Sequence, residues 1–353
     1  MNDLLKQWIR PEMLAESNYH VPAPATDIKL NQNESAWDWP AELKNQISHQ
    51  IANLAWNRYP QQAAAILRER LAQALEVPPG KIVLGNGSNE ILAAITILTL
   101  AGGDTLCALE PSFAIYPLLA TWRGAKMDNS TLADDFQVSV DDLLARSSKA
   151  KLTILCNPNS PTGTLLPLEV IAQVAEAASG LVVVDEAYVH YATVTALDLI
   201  EQYPNLVVTQ TFSKAFAMAG FRLGYGVMSA ALVEQVSKGL LPFNLDAPTA
   251  AAATVLLDHQ EWVDQRIDQT IAERDKLIEE LNSLDGIRAL PSQANFFLLQ
   301  TDLGPRATYN GLLDAGILIR DVSGYPGCQN YVRITVGRPE ENHRLAAALE
   351  HML

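Results

Sequence analysis

Thr211-Phe212-Ser213-Lys214-Ala215-Phe216-Ala217-Met218-Ala219-Gly220-Phe221-Arg222 is the stretch on which the reading of this chain turns. A lysine among small and apolar neighbours, behind a serine and ahead of an arginine, suits a particular kind of amine. It must stay neutral enough to attack a carbonyl while nearby groups hold a phosphate. The same residues also fit a lysine on the solvent face of an amphipathic helix. The segments on either side decide between the two.

Upstream and downstream of Lys214, short runs rich in Val, Ile and Leu, at 81–84, 105–109, 152–156, 181–184, 206–210 and 224–228, read as buried strands. Helix-length stretches at 90–100, 168–178 and 197–202 lie between them. This alternation predicts an α/β fold around a largely parallel sheet, with ligands at the carboxyl ends of its strands. Pro242 and Pro248 bracket a break, after which 249–257 and 261–284 read as helices, the second charged along one face. Strand-like 294–300 and 331–336 follow, as in a smaller α+β unit. The expected division is an arm over 1–35 that packs with the small domain, a large domain over 36–247 and a small domain over 248–353.

The chain has 353 residues, 48% of them hydrophobic and only 18% charged, which allows a large core and two domains. A formal net charge of -15 argues against nucleic acid or an anionic membrane as partner, so an anionic ligand needs a local cluster of arginines. Cys107, Cys156 and Cys328 are far apart and lack metal-ligand spacing, which indicates neither a disulfide framework nor a zinc site. Nothing resembles a signal peptide, and no apolar run approaches the ~18 residues of a membrane span. A cytoplasmic enzyme is the expectation.

Three further motifs sit at predicted strand ends. Gly85-Asn86-Gly87-Ser88-Asn89-Glu90 opens a helix and offers backbone N–H groups to a phosphate, though Glu90 stands where a dinucleotide fingerprint needs a third glycine. An ordinary capped turn accounts for it equally well. Cys156-Asn157-Pro158-Asn159-Ser160-Pro161-Thr162-Gly163 ends another strand and holds Asn157 where a carboxamide can donate to a ligand oxygen. In Val182-Val183-Val184-Asp185-Glu186-Ala187-Tyr188 an acid follows three β-branched residues. A carboxylate there is costly unless paired, as a protonated pyridine nitrogen would pair it. Glu186 fits a solvated loop position.

Asn157, Asp185 with Tyr188, Ser213 with Lys214, and Arg222 stand in the order and spacing of the fold type I pyridoxal phosphate enzymes, the class I/II aminotransferases. The chain resembles the histidinol-phosphate aminotransferase family over nearly its whole length. The likeness is carried by Leu30-Asn31-Gln32-Asn33-Glu34, Asn57-Arg58-Tyr59-Pro60, Pro111-Ser112-Phe113, Pro242-Phe243-Asn244, Gly316-Ile317-Leu318-Ile319-Arg320-Asp321 and Val332-Arg333-Ile334-Thr335-Val336-Gly337. The resemblance implies a large domain with a mainly parallel seven-stranded sheet and a smaller α+β domain. It implies pyridoxal 5'-phosphate as cofactor, with Lys214 attached to it covalently and Asp185 holding its ring nitrogen protonated as part of an electron sink. Asn157 and Tyr188 would bond the ring hydroxyl, and Phe113 would stack on the ring. Ser88, Asn89, Ser213 and Arg222 would hold the phosphate, with Tyr59 arriving from the partner subunit of a homodimer. Tyr19, Asn33, Arg320 and Arg333 match the groups that bind the amino donor and the 2-oxo acid, and Lys214 would carry the proton.

Two departures fall near the substrate lid: Tyr19-His20-Val21-Pro22-Ala23 lacks the family's usual glycine, and Ser35 replaces a proline. Trp37 and Trp39 lie close by and suit a pocket for an aromatic or imidazole group, or simply a core. Imidazole acetol phosphate formation in histidine biosynthesis is the activity implied, with 2-oxoglutarate as acceptor. A broad aromatic amino acid aminotransferase would use the same arginines. A threonine-phosphate decarboxylase usually carries a His-Gly-Gly segment near the N-terminus, absent here. A non-enzymatic regulator would need a DNA-binding module, and a nicotinamide enzyme would leave Lys214 unexplained.

Overall fold

The computed structural model describes residues 2–16 and 24–353. At its centre is an eight-stranded sheet. In spatial order it runs Ile82–Asn86, Leu223–Val227, Leu206–Thr211, Leu181–Asp185, Leu152–Cys156, Thr105–Glu110 and Lys126–Met127, and Ser130–Thr131 pairs farther along Thr105–Glu110. That two-residue strand is one more than the seven expected. Leu223–Val227 is antiparallel to both neighbours and every other pairing is parallel.

The strands read as unbroken apolar runs because helices cover both faces. Val182 and Val184 point into the core on one side and Val183 into the core on the other. This is the two-residue alternation of a strand with no solvated face. The helices Ser88–Thr99 and Leu168–Ala177 form where the apolar spacing placed them. The helix expected over 197–202 is instead a single 3-10 turn, Ala196–Leu199. The Glu186 carboxylate, accepting from the Ala196 amide at 2.6 Å and the Thr195 hydroxyl at 2.7 Å, fixes the start of that turn. Pro204, which disfavours helix at the residue before it, closes the segment.

The second unit is an antiparallel sheet ordered Ile287–Ala289, Phe296–Thr301, Val332–Thr335, Arg320–Asp321, backed by Pro305–Asp314 and Pro339–Met352. The helix Ala247–Leu257 lies against Ala41–Ala52 and Gln61–Ala74, beside the large sheet, and the long helix Gln260–Asn282 then leads to the small one. Contacts of the N-terminal segment are split. Arg10 bonds the Trp122 carbonyl and Glu16 bonds Thr121, both on the large unit's helix Ile115–Arg123, while Ile28–Lys29 adds in parallel to Ile317–Leu318.

Register sets the functional end of the large sheet. Cys156, Asp185 and Thr209 pair in one row across three adjacent strands at their carboxyl ends. Beside that row, Gly224 lets the helix Ser88–Thr99 start close above the sheet, since a Cβ there would lie 2.2 Å from the Ser88 nitrogen. The obstacle is backbone and cannot rotate away. Gly224→Ala is therefore expected to cost the apoenzyme about 1–3 kcal/mol, as overpacking does. It should also weaken binding of the cofactor that the resemblance implies, because the displaced helix terminus lies at the carboxyl end of the sheet. A thermal melt and a cofactor titration check both effects, and unchanged values in the two would refute them.

Candidate active site

The carboxyl ends of the parallel strands and the small sheet enclose a cleft of about 340 Å³. Of the residues singled out from sequence, Asn33, Ser88, Asn89, Phe113, Asp185, Tyr188, Ser213, Lys214, Arg222, Arg320 and Arg333 all line it.

Lys214 stands three residues beyond the strand Leu206–Thr211, and its Nζ donates to the Gln32 carbonyl at 2.8 Å. Burial pulls its pKa down to about 7, with the positive charge of Arg333 acting in the same direction and Glu34 against it. The amine is thus neutral in a large fraction near neutral pH, as a nucleophile or general base requires. Its Nζ stands 5.7 Å from the centre of the Tyr188 ring. Tyr188 receives a hydrogen bond from the Asn33 amide at 3.0 Å, and burial raises its phenol to about 12.

Asp185 is 2% exposed. It accepts from the Tyr116 hydroxyl at 2.8 Å and the Thr209 hydroxyl at 3.3 Å, and also from the Ala187 amide. All three donors are neutral. Burial accordingly holds the carboxyl up at about 6 against those bonds. A protonated pyridine nitrogen is the kind of partner such a carboxylate lacks. At the other end of the cleft, Ser88 and Asn89 open the helix Ser88–Thr99, and the Arg222 guanidinium donates to the Ser213 hydroxyl at 3.0 Å. Gly87, with φ of 73°, leaves room for that guanidinium, since a Cβ would lie 2.6 Å from Arg222 Nη2. A helix N-terminus, a hydroxyl and an arginine form a phosphate cup. Carboxylate, neutral amine and cup together fit pyridoxal phosphate.

Asn157, expected in the cleft, is not among the residues that line it, and Tyr59, expected to serve the partner's cleft, lies away from this one. The Asn157 carboxamide is taken up by the backbone of Leu166, accepting at 2.7 Å and donating at 3.3 Å. Ser160, three residues on, faces the cleft instead: it accepts from Arg333 Nη1 at 3.1 Å and bonds the Tyr188 side chain. The Pro-rich loop turns the chain between the two, and that path is not visible in residue types. Tyr59 is 75% exposed and stacks on Phe243 at 4.1 Å, beside a separate apolar cavity with Trp56 and Pro242. Tyr19 lies outside the described residues.

One other assignment changes, and of the two readings open for the tryptophans each residue takes one. Glu186 is wholly buried, because Gln210, Thr195 and the Ala196 amide satisfy its carboxylate. Trp39 is core: it stacks on Trp262 at 4.2 Å and donates to the Phe216 carbonyl at 2.9 Å. Trp37 rests on the Arg266 guanidinium at 4.9 Å and, with Glu34 and Ser213, walls a small adjoining cavity. Tyr116 is a site residue that the sequence reading missed; its position three residues after Phe113, at the start of a helix, was the available signal.

A depressed lysine facing an uncompensated carboxylate, at the carboxyl edge of a mainly parallel sheet, defines the fold type I pyridoxal phosphate-dependent transferases. Comparison with known proteins narrows this. The profile of the aminotransferase class I and II family matches residues 25–349, and the chain belongs to that family. Curated relatives include the histidinol-phosphate aminotransferase of Prosthecochloris aestuarii, 35% identical, with 98% of this chain and 97% of that protein aligned. The histidinol-phosphate aminotransferase 1 of Carboxydothermus hydrogenoformans is 37% identical, over 93% of each. Among solved structures, the histidinol-phosphate aminotransferase from Clostridium acetobutylicum superposes with a TM-score of 0.84 at 25% identity, over 92% of this chain and 98% of that one.

The buried charges predict opposite pH dependences of apoenzyme stability. The folded pKa of Asp185, about 6, lies above its ordinary value of 3.8, so its ionisation costs stability fully above pH 6 and not at all below 3.8. Asp185→Asn apoenzyme should melt higher than the unmodified apoenzyme at pH 7 to 8, with the gap closing as pH falls through that window. The folded pKa of Lys214, about 7, lies below 10.5, so its charge costs stability below pH 7 and the cost fades towards 10.5. The advantage of Lys214→Met should therefore fade as pH rises. Melting curves across pH decide both, and parallel curves would disprove the strain.

Proposed function

We propose that the cleft binds pyridoxal phosphate and that the enzyme transfers the amino group of L-histidinol phosphate to 2-oxoglutarate, giving imidazole acetol phosphate and L-glutamate in the cytoplasmic synthesis of histidine. The observation that supports this most is the pairing of Lys214 with Arg320 and Arg333 in one cleft of a chain whose full-length relatives carry that activity in their names. When bound, pyridoxal phosphate supplies a protonated ring that takes up the electron pair left by a substrate Cα–H bond.

The chain's residues do the rest. Lys214 Nζ takes the α-proton and returns a proton to the cofactor side, using the basicity that burial gives it. Asp185, oriented by Tyr116 and Thr209, keeps the ring nitrogen protonated. Tyr188 and Ser160 bond the ring hydroxyl, Phe113 covers a ring face, and Ser88, Asn89, Ser213 and Arg222 bind the phosphate. Arg320 and Arg333 face each other across adjacent strands and present planar donor forks to phosphate or carboxylate. Asn33 and Tyr19 complete the substrate side.

The working unit in this reading is a homodimer. Tyr59 stands on an exposed apolar face with Trp56 and Leu241, away from its own chain's cleft, which suits a residue lent to the partner's cofactor phosphate. Mixing Tyr59→Phe with Lys214→Ala, each alone nearly inactive, should restore part of the activity, since one cleft of each mixed dimer is intact. A fully active monomer in sedimentation would contradict the arrangement.

Substrate choice is tested at the arginines. Arg320→Ala should lower kcat/KM for both histidinol phosphate and 2-oxoglutarate by roughly ten- to over a hundredfold, the worth of ~1.5–3 kcal/mol for a lost charged hydrogen bond. The unmodified enzyme should use dephosphorylated histidinol much less well. Equal use of histidinol and its phosphate, with phenylalanine faster than both, would transfer the assignment to an aromatic amino acid aminotransferase. Lys214→Ala should bind the cofactor non-covalently and turn over negligibly; near-normal turnover would end the whole reading.

A further inference from the structure

Next to the cleft, and sharing Asn31 and Arg320 with it, lies a second cavity of about 450 Å³ at the start of the helix Pro305–Asp314. Arg306, Tyr309 and Arg320 line it. No described residue hydrogen-bonds or ion-pairs with any of these three side chains. Arg70, Arg146, Arg274, Arg338 and Arg344, by contrast, pair with carboxylates. The one carboxylate on the wall, Asp321, accepts instead from the amide of Ser323 at 2.9 Å and its hydroxyl at 2.6 Å.

Arg333 contrasts with Arg320. It is held inside the cleft by the Ser160 hydroxyl and by the Asn31 carbonyl at 3.0 Å, and its guanidinium lies 5.2 Å from the Phe296 ring centre. Arg320 has no such restraint and stands at the boundary of both cavities. Two guanidinium groups and a phenol around one space exceed the charge of the single opposing carboxylate and suit a tetrahedral dianion.

We propose that this cavity is a second anion site, an anteroom that takes a phosphomonoester before Arg320 passes its phosphate into the cleft. The ligand class rests on the proposed use of an amine phosphate; the anion site itself rests on Arg306, Tyr309 and Arg320. Arg306 is exposed and forms no part of the cleft, so its replacement tests the anteroom alone.

Inorganic phosphate is titrated into full-length, cofactor-loaded enzyme by calorimetry at low ionic strength. Arg306→Glu should bind one phosphate fewer per chain than the unmodified enzyme, and Arg306→Lys should restore it. With histidinol phosphate, Arg306→Ala should lower kcat/KM about three- to tenfold and Arg306→Glu further, an effect that salt erases, as for steering by a surface charge. The kcat, and kcat/KM for unphosphorylated histidinol, should not change. Unaltered phosphate stoichiometry in Arg306→Glu, or equal losses for the two amines, would overturn the anteroom. Should the enzyme prove not to use phosphorylated amines, the function proposed for the cleft falls, while phosphate stoichiometry still judges the second site.

Discussion

Desolvation at the carboxyl end of the large sheet governs two groups of opposite charge, and the remainder of the molecule is arranged around that fact. Asp185 is pressed towards its neutral form and Lys214 towards its own, by the same exclusion of water. Either alone would be a destabilising burial of a charge. A ligand that brings a cation to the carboxylate and an electrophilic carbon to the amine relieves both at once. The apoprotein therefore stores, as strain in two ionisations, part of the free energy with which it holds its cofactor.

Around this centre the supports are mostly neutral hydrogen bonds. Tyr116 and Thr209 orient Asp185 without neutralising it, which a lysine or arginine in their place would do. Behind them Glu186, Gln210 and Tyr225 form a buried chain of bonds, tying two adjacent strands to the turn Ala196–Leu199. Burial raises the Glu186 carboxyl to about 7, with the bonds from Ala196, Thr195 and Gln210 acting against it.

The large sheet was legible in the sequence because its strands are buried on both faces and so read as apolar runs with little ambiguity. Asp185, Ser213 and Lys214 were legible for a related reason: each stands at or within three residues of the end of such a strand, so the strand's end fixes its place. Legibility faded where position depends on a loop's path or on partners far along the chain. Asn157 and Ser160 lie three residues apart on one turn, and only the capture of Asn157 by Leu166 decides which of them faces the cleft. Glu186 looked solvated because its partners Thr195 and Gln210 lie 9 and 24 residues away. Trp39 gave no sign that Trp262 would cover it. Helix 197–202 failed for the same reason, since its first turn is held by a carboxylate from another segment.

Asn33 joins parts of the molecule that otherwise meet only through the cleft. Its amide donates to Tyr188 on the large unit, and its backbone nitrogen and side-chain oxygen both bond Thr335 on the small one, at 3.0 and 3.1 Å. Thr335 lies two residues from Arg333 on the same strand. The positive charge of Arg333 also lowers the pKa of Lys214, and an anion bound to that guanidinium offsets it. In the language of linkage, occupancy of the arginines and the proton affinity of the lysine are two ligands of one equilibrium, and each must change the other by the same factor.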